Sequence, residues 1–259
     1  MMDIVQSFYD DMAASYDKLF LDWQAATREQ AQLLDALFAK CGYDRSARIL
    51  DCACGIGTQA IGLAELGFPV TASDISEGEL AQARERAKER GLAADGGDIR
   101  FVRADFRSLE AQIPDVFDIV IAMDNALPHM LTPEDLEKAV RSITGRVRPG
   151  GIFAASIRDY DSLLESKPAY SPPYIHKTRR GQRVSFQTWD WAGENYRLTQ
   201  YIIDDEESLQ TGKFVCEYRA IRRKELTDLL LAGGCSEVVW KFPEETGFYQ
   251  PIVTAKRAR

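Results

Sequence analysis

The spacing of hydrophobic positions follows a regular rhythm from residue 48 onward. Short apolar runs predict strands, and segments with apolar residues three or four positions apart predict helices between them. The predicted strands are 47–52, 69–72, 99–103, 117–123 and 152–157, and the predicted helices are 58–66, 76–90 and 133–147. This alternation predicts an α/β fold in which helices cover both faces of a doubly wound, mostly parallel sheet.

The rhythm breaks after Tyr160. Turn-like or charged stretches separate three runs at 185–191, 196–204 and 214–221, which predicts an antiparallel β insertion within residues 162–221 that forms a lid over the substrate site. A helix at 223–232 and a hairpin of 238–242 with 252–256 then complete a seven-stranded sheet. Residues 1–46 are expected to form an N-terminal helical cap, and residues 1–259 a single domain.

A glycine-rich turn joins the first predicted strand to the first predicted helix. Gly55 and Gly57 permit a sharp bend and bring a ligand close to the backbone, while the helix that follows offers free N–H groups and a positive dipole. The stretch also satisfies the G-x-G-x-x-G/A pattern of dinucleotide-binding proteins. The turn therefore indicates a ligand site without deciding which ligand binds there.

Carboxylates follow the ends of successive predicted strands. Asp51 precedes Gly55 by four residues, Asp74 ends the second strand, and Asp105 with Phe106 follows the third. In open α/β sheets, ligands bind outside these strand ends. A dinucleotide needs donors for its pyrophosphate, whereas S-adenosylmethionine carries an ammonium group and an adenosine and needs carboxylates. The pattern favours S-adenosylmethionine.

Composition limits the partners. The net charge of −8 disfavours non-specific binding to nucleic acid, and no apolar run is long enough to span a membrane. The five scattered cysteines indicate a reducing compartment, the two histidines leave little material for a metal site, and the first residues lack the apolar segment of a signal peptide. We expect a soluble, cytoplasmic protein with a small-molecule substrate and no metal, whose oligomeric state stays open.

The motifs DCACGIGTQA, VTASDIS, RADF and RVRPGGIFAAS, with the terminal hairpin, resemble the successive motifs of class I methyltransferases from Arg48 to Lys256. The resemblance implies a Rossmann-like methyltransferase fold and S-adenosylmethionine as the methyl donor, with S-adenosylhomocysteine as its product. The residues expected to bind this cofactor are Asp51, Ala53, Gly55, Gly57, Asp74, Ile75, Asp105, Phe106 and Met123.

A narrower resemblance joins the turn ACGIG, the segment 121–130, the segment 158–161 and the tyrosine-bearing meander. Together they are similar to the glycine N-methyltransferase family, including its sarcosine and dimethylglycine relatives. The similarity implies that Arg158 binds the substrate carboxylate and that Asn125 holds the substrate at its amine end. It further implies roles for the tyrosines Tyr174, Tyr201 and Tyr218, an Arg28 that pairs with the cofactor carboxylate, and Tyr16 and His129 near the substrate.

The residues themselves leave alternatives open. The planar guanidinium of Arg158 suits a carboxylate, yet a structural ion pair with Asp159 or Asp161 is also compatible with the sequence. The side chain of Asn125 could cap a helix, and the tyrosines could pack in a core or lid. Two positions depart from the family pattern: Asp124 stands where the family usually has Gly, and Phe106 where it has Trp.

The predicted activity is transfer of a methyl group to a small molecule, with the amine of glycine or a related amino acid as the best candidate. One alternative is N- or O-methylation of another small metabolite that lacks a carboxylate. The others are a nicotinamide oxidoreductase and a non-catalytic protein that binds S-adenosylmethionine.

Overall fold

A seven-stranded sheet forms the centre of the protein, whose computed structural model describes residues 4–93, 97–177, 179 and 181–259. The strand order is β10-β11-β5-β4-β1-β2-β3, with parallel pairing from β5 to β3 and antiparallel pairing of β11 with both neighbours. The strands are β1 Ile49–Asp51, β2 Val70–Asp74, β3 Ile99–Arg103, β4 Phe117–Ala122, β5 Val147–Ser156, β10 Cys235–Lys241 and β11 Ile252–Arg257. The predicted seven-stranded, mostly parallel sheet is confirmed.

Helices cover both faces of this sheet because successive strand residues point to opposite sides. In β1, Ile49 belongs to a hydrophobic cluster on one face, and Leu50 belongs to the cluster on the other. In β4, Ile119 and Val120 divide in the same way. The helices are α1 Ile4–Met12, α2 Trp23–Lys40, α3 Thr58–Glu65, α4 Glu77–Glu89, α5 Pro133–Thr144, α6 Tyr160–Ser166, α7 Arg223–Ala232 and α8 Pro243–Thr246.

A separate antiparallel sheet lies between β5 and α7 in the sequence. Its strands pair in the order in which they occur, as a meander, and its first strand is short. They are β6 Tyr174–Lys177, β7 Gln182–Ala192, β8 Asn195–Asp204 and β9 Gln210–Arg219. The sheet therefore occupies the predicted insertion at 162–221.

Two elements of this region were missing from the sequence prediction. The strand β6 follows Pro172 and Pro173 and is mostly exposed, so it lacks the alternation of apolar and polar residues that marks a half-buried strand. The helix α6 is only seven residues long, which is too short for a clear helical period. The meander consequently has four strands rather than three.

The fifth strand was predicted at 152–157, which left out Pro149, Gly150 and Gly151. These residues lie within β5, where the pairing with β4 shifts between Phe117 and Ile119. Gly150 has a positive φ of 77°, and a Cβ at Gly151 would lie 2.8 Å from the carbonyl oxygen of Asp118. The glycines therefore produce an irregularity inside a continuous strand, because the backbones approach too closely for side chains.

The N-terminal segment packs as two helices joined by a 3-10 helix at Ala13–Leu19. The helix α1 contacts β9 of the meander, and α2 packs against α3. Residues 1–3 of the predicted cap at 1–46 lie outside the described residues. Within the described ranges, no helix has both the length and the apolar character that crossing a membrane requires.

We predict that Gly62→Ala in α3 destabilises the protein, although alanine is normally the better helix former. The added Cβ would lie 2.6 Å from the carbonyl oxygen of Thr27 and 2.7 Å from the Cβ of Ala31 in α2. We expect the free energy of unfolding to fall by about 1–3 kcal/mol in a denaturant titration. Ala36→Ser, at an exposed position of α2, is the control and should change it by less than about 0.5 kcal/mol. A stabilised Gly62→Ala protein would contradict the close packing of α2 against α3.

Candidate active site

Two cavities meet beyond the carboxyl ends of the parallel strands. The first, about 380 Å³, is lined by the glycine-rich turn and the ends of β2 and β4, and we call it the turn cavity. The second, about 870 Å³, is lined by Arg158 and by strands of the meander, and we call it the arginine cavity. Tyr9, Tyr16 and Asp124 line both cavities. These three residues therefore border both cavities.

The glycine-rich turn owes its shape to two residues with positive φ. Gly55 (φ 53°) lines the turn cavity, and Gly57 (φ 90°) is the residue from which α3 begins. A Cβ at Gly57 would lie 2.7 Å from Cδ1 of Ile61, so a side chain there would meet α3 itself. Gly57 makes the bend, and Gly55 leaves the backbone open toward the cavity.

Two carboxylates lie beside this turn, one of them partly buried and the other fully buried. Asp74 accepts hydrogen bonds from the backbone N–H groups of Gly55 and Ser76, both at 2.9 Å. Asp51 is fully buried, and its Oδ2 has no hydrogen-bond partner among the described residues. Burial raises the pKa of Asp51 to about 8, and the nearby carboxylates of Asp74 and Asp124 add to the increase. An unpartnered buried carboxyl is costly, and a cationic group would compensate it.

The far end of the turn cavity contains Asp105, Phe106 and Met123. Both oxygens of Asp105 accept hydrogen bonds from Arg107, at 2.6–3.0 Å, so its carboxylate already has a partner. The sequence prediction for Asp105 did not anticipate this local pair. Met123 is buried, and Phe106 is partly buried against the core. Their apolar surfaces suit a flat ring.

Arg158 follows β5 and projects into the arginine cavity. Its Nη1 donates to the hydroxyl of Tyr196 at 2.9 Å, and its Nη2 donates to Oε1 of Gln187 at 3.0 Å. Its guanidinium also lies 4.8 Å from the ring centre of Trp189. All three contacts are to neutral groups, and among the described residues no carboxylate pairs with Arg158.

The two acidic residues that could have neutralised Arg158 are engaged elsewhere. Asp159 and Asp161 both pair with Arg223 at the start of α7. The structural ion pair that the sequence left open for Arg158 is therefore made by Arg223 instead. A guanidinium held by neutral partners at a cavity is suited to binding an anionic group, above all a carboxylate.

Asn125 lies beside Arg158 and is almost completely buried. Its Oδ1 accepts hydrogen bonds from the backbone N–H of Arg158 at 3.1 Å and from the hydroxyl of Tyr160 at 3.0 Å. Because a backbone N–H can only donate, the atom it meets must be the oxygen. The Nδ2 group of Asn125 has no partner among the described residues, so Asn125 offers a donor. A donor suits the carboxylate of a substrate rather than its ammonium group, which changes the end we assign to Asn125.

The residue before it, Asp124, has equally unusual geometry. Asp124 and Asn125 are consecutive non-glycine residues with positive φ, 55° and 68°. The N–H of Asp124 donates to the hydroxyl of Ser156. Its carboxylate accepts from the hydroxyl of Tyr249 at 2.8 Å and from Nε2 of Gln59 at 2.7 Å. Burial raises the pKa of Asp124.

Comparison with known proteins relates the part of the chain that carries the glycine-rich turn to a protein family. Residues 49–151, which include the glycine-rich turn and the strands β1 to β4, match the family described as "Methyltransferase domain". Over these residues the chain is similar to methyltransferase domains. The match covers the glycine-rich turn and the ends of β2 and β4, which line the turn cavity.

Similar proteins support the narrower resemblance. The glycine/sarcosine N-methyltransferase of Parasynechococcus marenigrum (strain WH8102) is 31% identical over 164 residues, 63% of this chain and 55% of that protein. The glycine N-methyltransferase of Rattus norvegicus is 32% identical over 171 residues, 63% of this chain and 57% of that protein. The predicted resemblance to this family is confirmed, and the chain spans about half the length of these curated relatives.

A solved structure shares the fold over almost the whole chain. An S-adenosylmethionine-dependent methyltransferase from Clostridium acetobutylicum ATCC 824 superposes with a TM-score of 0.74 at 18% identity, covering 97% of this chain and 99% of that one. At this identity the likeness concerns the fold alone. It extends beyond the methyltransferase domain at 49–151, because the coverage includes nearly all of both chains.

The predicted site residues divide into three groups. Most of those expected near the cofactor line the turn cavity, namely Ala53, Gly55, Asp74, Ile75, Asp105, Phe106 and Met123. Asp51 and Gly57 lie next to lining residues without lining the cavity themselves, and Arg28 is exposed on α2 and lines neither cavity. The role predicted for Arg28 therefore has no geometric support here.

The residues expected near the substrate are also divided. Asn125, Arg158, Tyr16, Tyr174 and Tyr218 line the arginine cavity, although Tyr174 is 66% exposed. His129 instead lines the turn cavity, where Nε2 lies 2.7 Å from the hydroxyl of Tyr9. Tyr201 stacks on Phe186 at 4.9 Å between ring centres and lines neither cavity.

Several residues that shape the cavities were missed by the sequence prediction. Tyr196 and Gln187 hold the guanidinium of Arg158, and Gln59 and Tyr249 hold Asp124. A signal exists for Gln187, because it alternates with Ser185 and Trp189 along β7 and all three line the arginine cavity, as does Phe186 between them. Tyr196 gives no such signal, since its placement depends on the pairing of β8 with its neighbours.

We predict that Asp51→Asn removes a pH-dependent loss of stability in the ligand-free protein. The folded-state pKa of Asp51, about 8, lies above its ordinary value of 3.8, so the folded protein retains a proton that the unfolded chain releases as the pH rises. Between about pH 5 and pH 7, the wild type should therefore lose about 1 kcal/mol of unfolding free energy per pH unit relative to Asp51→Asn. Urea titrations at several pH values measure this difference. Asp115→Asn, at an exposed position, is the control, and parallel pH dependences of wild type and Asp51→Asn would contradict the prediction.

Proposed function

We propose that this protein is an S-adenosylmethionine-dependent methyltransferase that methylates the amine of a small molecule carrying a carboxylate, such as glycine or a related amino acid. The methyl donor binds in the turn cavity and the acceptor in the arginine cavity. Tyr9, Tyr16 and Asp124 line both cavities, so the methyl group passes from one molecule to the other beside these residues.

The turn cavity fits the donor in charge and shape. The unpartnered Oδ2 of Asp51 suits the donor's ammonium group, and Asp74 keeps lone pairs available for the two ribose hydroxyls. The open backbone at Gly55 permits close approach, and Met123 with Phe106 provides apolar surface for the adenine ring. Since Arg107 already occupies the carboxylate of Asp105, contact with the adenine amine requires that pair to rearrange.

The choice of acceptor rests on one observation, namely which groups hold the guanidinium of Arg158. A guanidinium with only neutral partners at the wall of a cavity is incomplete, and a carboxylate would complete it with two hydrogen bonds. The free Nδ2 of Asn125 beside it adds a third donor. Binding at these groups fixes one end of an amino acid and leaves its amine to reach the junction of the two cavities.

The chemistry asked of the protein is modest. Bound S-adenosylmethionine supplies an activated methyl group on a sulfonium, so the protein mainly positions the acceptor and excludes water. Tyr9 and Tyr16 come from the N-terminal segment and line both cavities. Their oxygens and rings are suited to a cationic methyl group.

The size of the arginine cavity favours acceptors larger than glycine. A cavity of about 870 Å³ lies in the range that holds drug-sized ligands, whereas glycine has only a handful of atoms. Leu163, Phe186, Trp189 and Leu198 provide apolar surface for a side chain. Amino acids with extended side chains therefore belong in any acceptor panel beside glycine and sarcosine.

The proposal includes the setting in which the protein works. All five cysteines lie among the described residues, none of them is in a disulfide, and four are buried, which suits a reducing compartment such as the cytoplasm. The partner we propose is the small-molecule acceptor, with no nucleic acid or membrane.

Arg158→Met should raise the KM for the carboxylate-bearing acceptor by about 100-fold or more, because the substitution removes a charge-assisted, bidentate contact. Arg158→Lys retains the positive charge without the planar guanidinium, so its KM should lie between those of Arg158→Met and the wild type. The dissociation constant for S-adenosylhomocysteine, measured by calorimetry, should change by less than about threefold in both. Unchanged KM values for every amino-acid acceptor would remove Arg158 from the acceptor site.

Binding of S-adenosylhomocysteine should strengthen by about tenfold per pH unit from about pH 6 to pH 8 and then level off. Its ammonium group requires the ionised form of Asp51, whose pKa in the free protein is about 8, so binding releases a proton below that pH. Asp51→Asn should bind more weakly and lose the slope. Calorimetric titration measures both effects, and NADH serves as the comparison ligand. Tight NADH binding without a response to S-adenosylhomocysteine would favour a nicotinamide enzyme instead.

A further inference from the structure

The amine end of the acceptor needs a hydrogen-bond acceptor, and Asn125 does not supply one. Its oxygen already receives the N–H of Arg158 and the hydroxyl of Tyr160, and its free atom is a donor. An ammonium group carries only donors, so it would be repelled there. Some other group at the junction of the cavities must face the amine.

We propose that Asp124 is the catalytic base of the methyl transfer, and that its carboxylate binds the acceptor's ammonium group and takes a proton from it. This inference rests on the proposed function, because it assumes an amine acceptor held at its other end by Arg158. It assigns a role to the residue that departs from the glycine usual in the family that the sequence resembles.

The position of Asp124 meets the geometric requirement for this role. Its residue lines both cavities, whereas Asn125 and Arg158 line only the arginine cavity. A group that contacts the acceptor nitrogen must be within reach of both the donor's methyl group and the carboxylate-binding arginine, which is where the two cavities join. Met123, directly before it, lines the turn cavity.

The carboxylate of Asp124 is oriented but not neutralised. Tyr249 donates to Oδ1 and Gln59 donates to Oδ2, and no cationic side chain of the described residues forms an ion pair with it. Each oxygen therefore keeps a lone pair for one further donor. Gln59 is itself fixed by Gln30, at 2.6 Å from Nε2 to Oε1, so the orientation is supported from α2 and α3 together.

The charges around Asp124 favour a cation beside it. The titratable groups that face it or line the same junction are Tyr9, Tyr16, Asp51, Asp74, Arg158, Tyr218 and Tyr249. The tyrosines are neutral at ordinary pH, and Asp51 and Asp74 disfavour a further negative charge. Burial raises the pKa of Asp124, which brings its proton affinity closer to that of an amine.

The acceptor enters as R–NH₃⁺ and gives one proton to Asp124, which leaves a neutral amine with a lone pair. That lone pair forms the N–CH₃ bond as the S–CH₃ bond breaks, and the S–CH₃ electron pair stays on sulfur. The products are S-adenosylhomocysteine and R–NH₂⁺–CH₃, and Asp124 returns its proton to solvent.

Two variants test the role without threatening the fold. Asp124→Asn keeps the shape and tolerates positive φ, and Asp124→Gly relieves the backbone strain at φ 55°. Thermal unfolding of both should stay close to wild type. With the best amine acceptor at pH 7, kcat/KM should fall by about 100-fold or more in each, while Asp115→Asn, which removes an exposed carboxylate, should behave as wild type.

The pH profile separates a base from a structural residue. In the variants only the neutral amine reacts, so kcat/KM should rise about tenfold per pH unit toward the pKa of the amine, and the deficit against wild type should shrink. A deficit that stays constant with pH, or variants within threefold of wild type at pH 7, would overturn the role of Asp124. A loss of affinity for S-adenosylmethionine but not for S-adenosylhomocysteine would show pairing with the sulfonium and would also overturn it.

Failure of the proposed function and failure of the role of Asp124 give different experimental results. If wild type methylates no amine across the acceptor panel, the proposed function and the role of Asp124 are both wrong. If wild type methylates an amine and Arg158→Met raises its KM, but the Asp124 variants keep full activity and an unchanged pH profile, only the role of Asp124 is wrong.

Discussion

The arrangement of the site depends on a strained pair of residues at the end of β4. Asp124 and Asn125 both have positive φ, which costs about 1–3 kcal/mol at each non-glycine position. The adjacent strand β5 holds them there: Asp124 donates its N–H to the hydroxyl of Ser156, and Asn125 donates its N–H to the carbonyl of Ser156. The two strained residues lie where the cavities meet, and their side chains place a carboxylate next to an amide.

The two residues of this pair differ in what they offer to a ligand, because one provides a hydrogen-bond donor and the other provides acceptors. Arg158 and the free amide of Asn125 offer donors, whereas Asp124 offers lone pairs. Donors on one side and an acceptor on the other are complementary to a zwitterion. The parallel strands make this possible, because their carboxyl ends lie at the same edge of the sheet and bring distant parts of the chain together. The antiparallel meander then fixes Arg158 through Gln187 and Tyr196.

The sequence predicts the strands and helices of the parallel sheet well, because the spacing of apolar residues and the residues that form turns can be recognised from neighbouring positions. It also locates the turn cavity, since Gly55 and Asp74 lie at strand ends that any such sheet brings together. The sequence does not predict contacts that depend on how distant segments of the chain pair with each other. The contact of Tyr196 with Arg158 depends on how the meander packs. Asp124 can be recognised in the sequence as a departure from the family's glycine. Its hydrogen-bond partners cannot be recognised in this way, because Gln59 and Tyr249 lie 65 and 125 residues away.

The position of β11 has a consequence for the order in which the protein becomes functional during synthesis. This strand, at Ile252–Arg257, lies inside the sheet between β5 and β10. On the ribosome, a nascent chain lacking it has an open edge along β5, which invites association with other chains until the strand arrives. The same late segment brings Tyr249 to Asp124 and Gln250 to Ser156. Translation must therefore reach this strand before the strained corner of the site acquires its last supports.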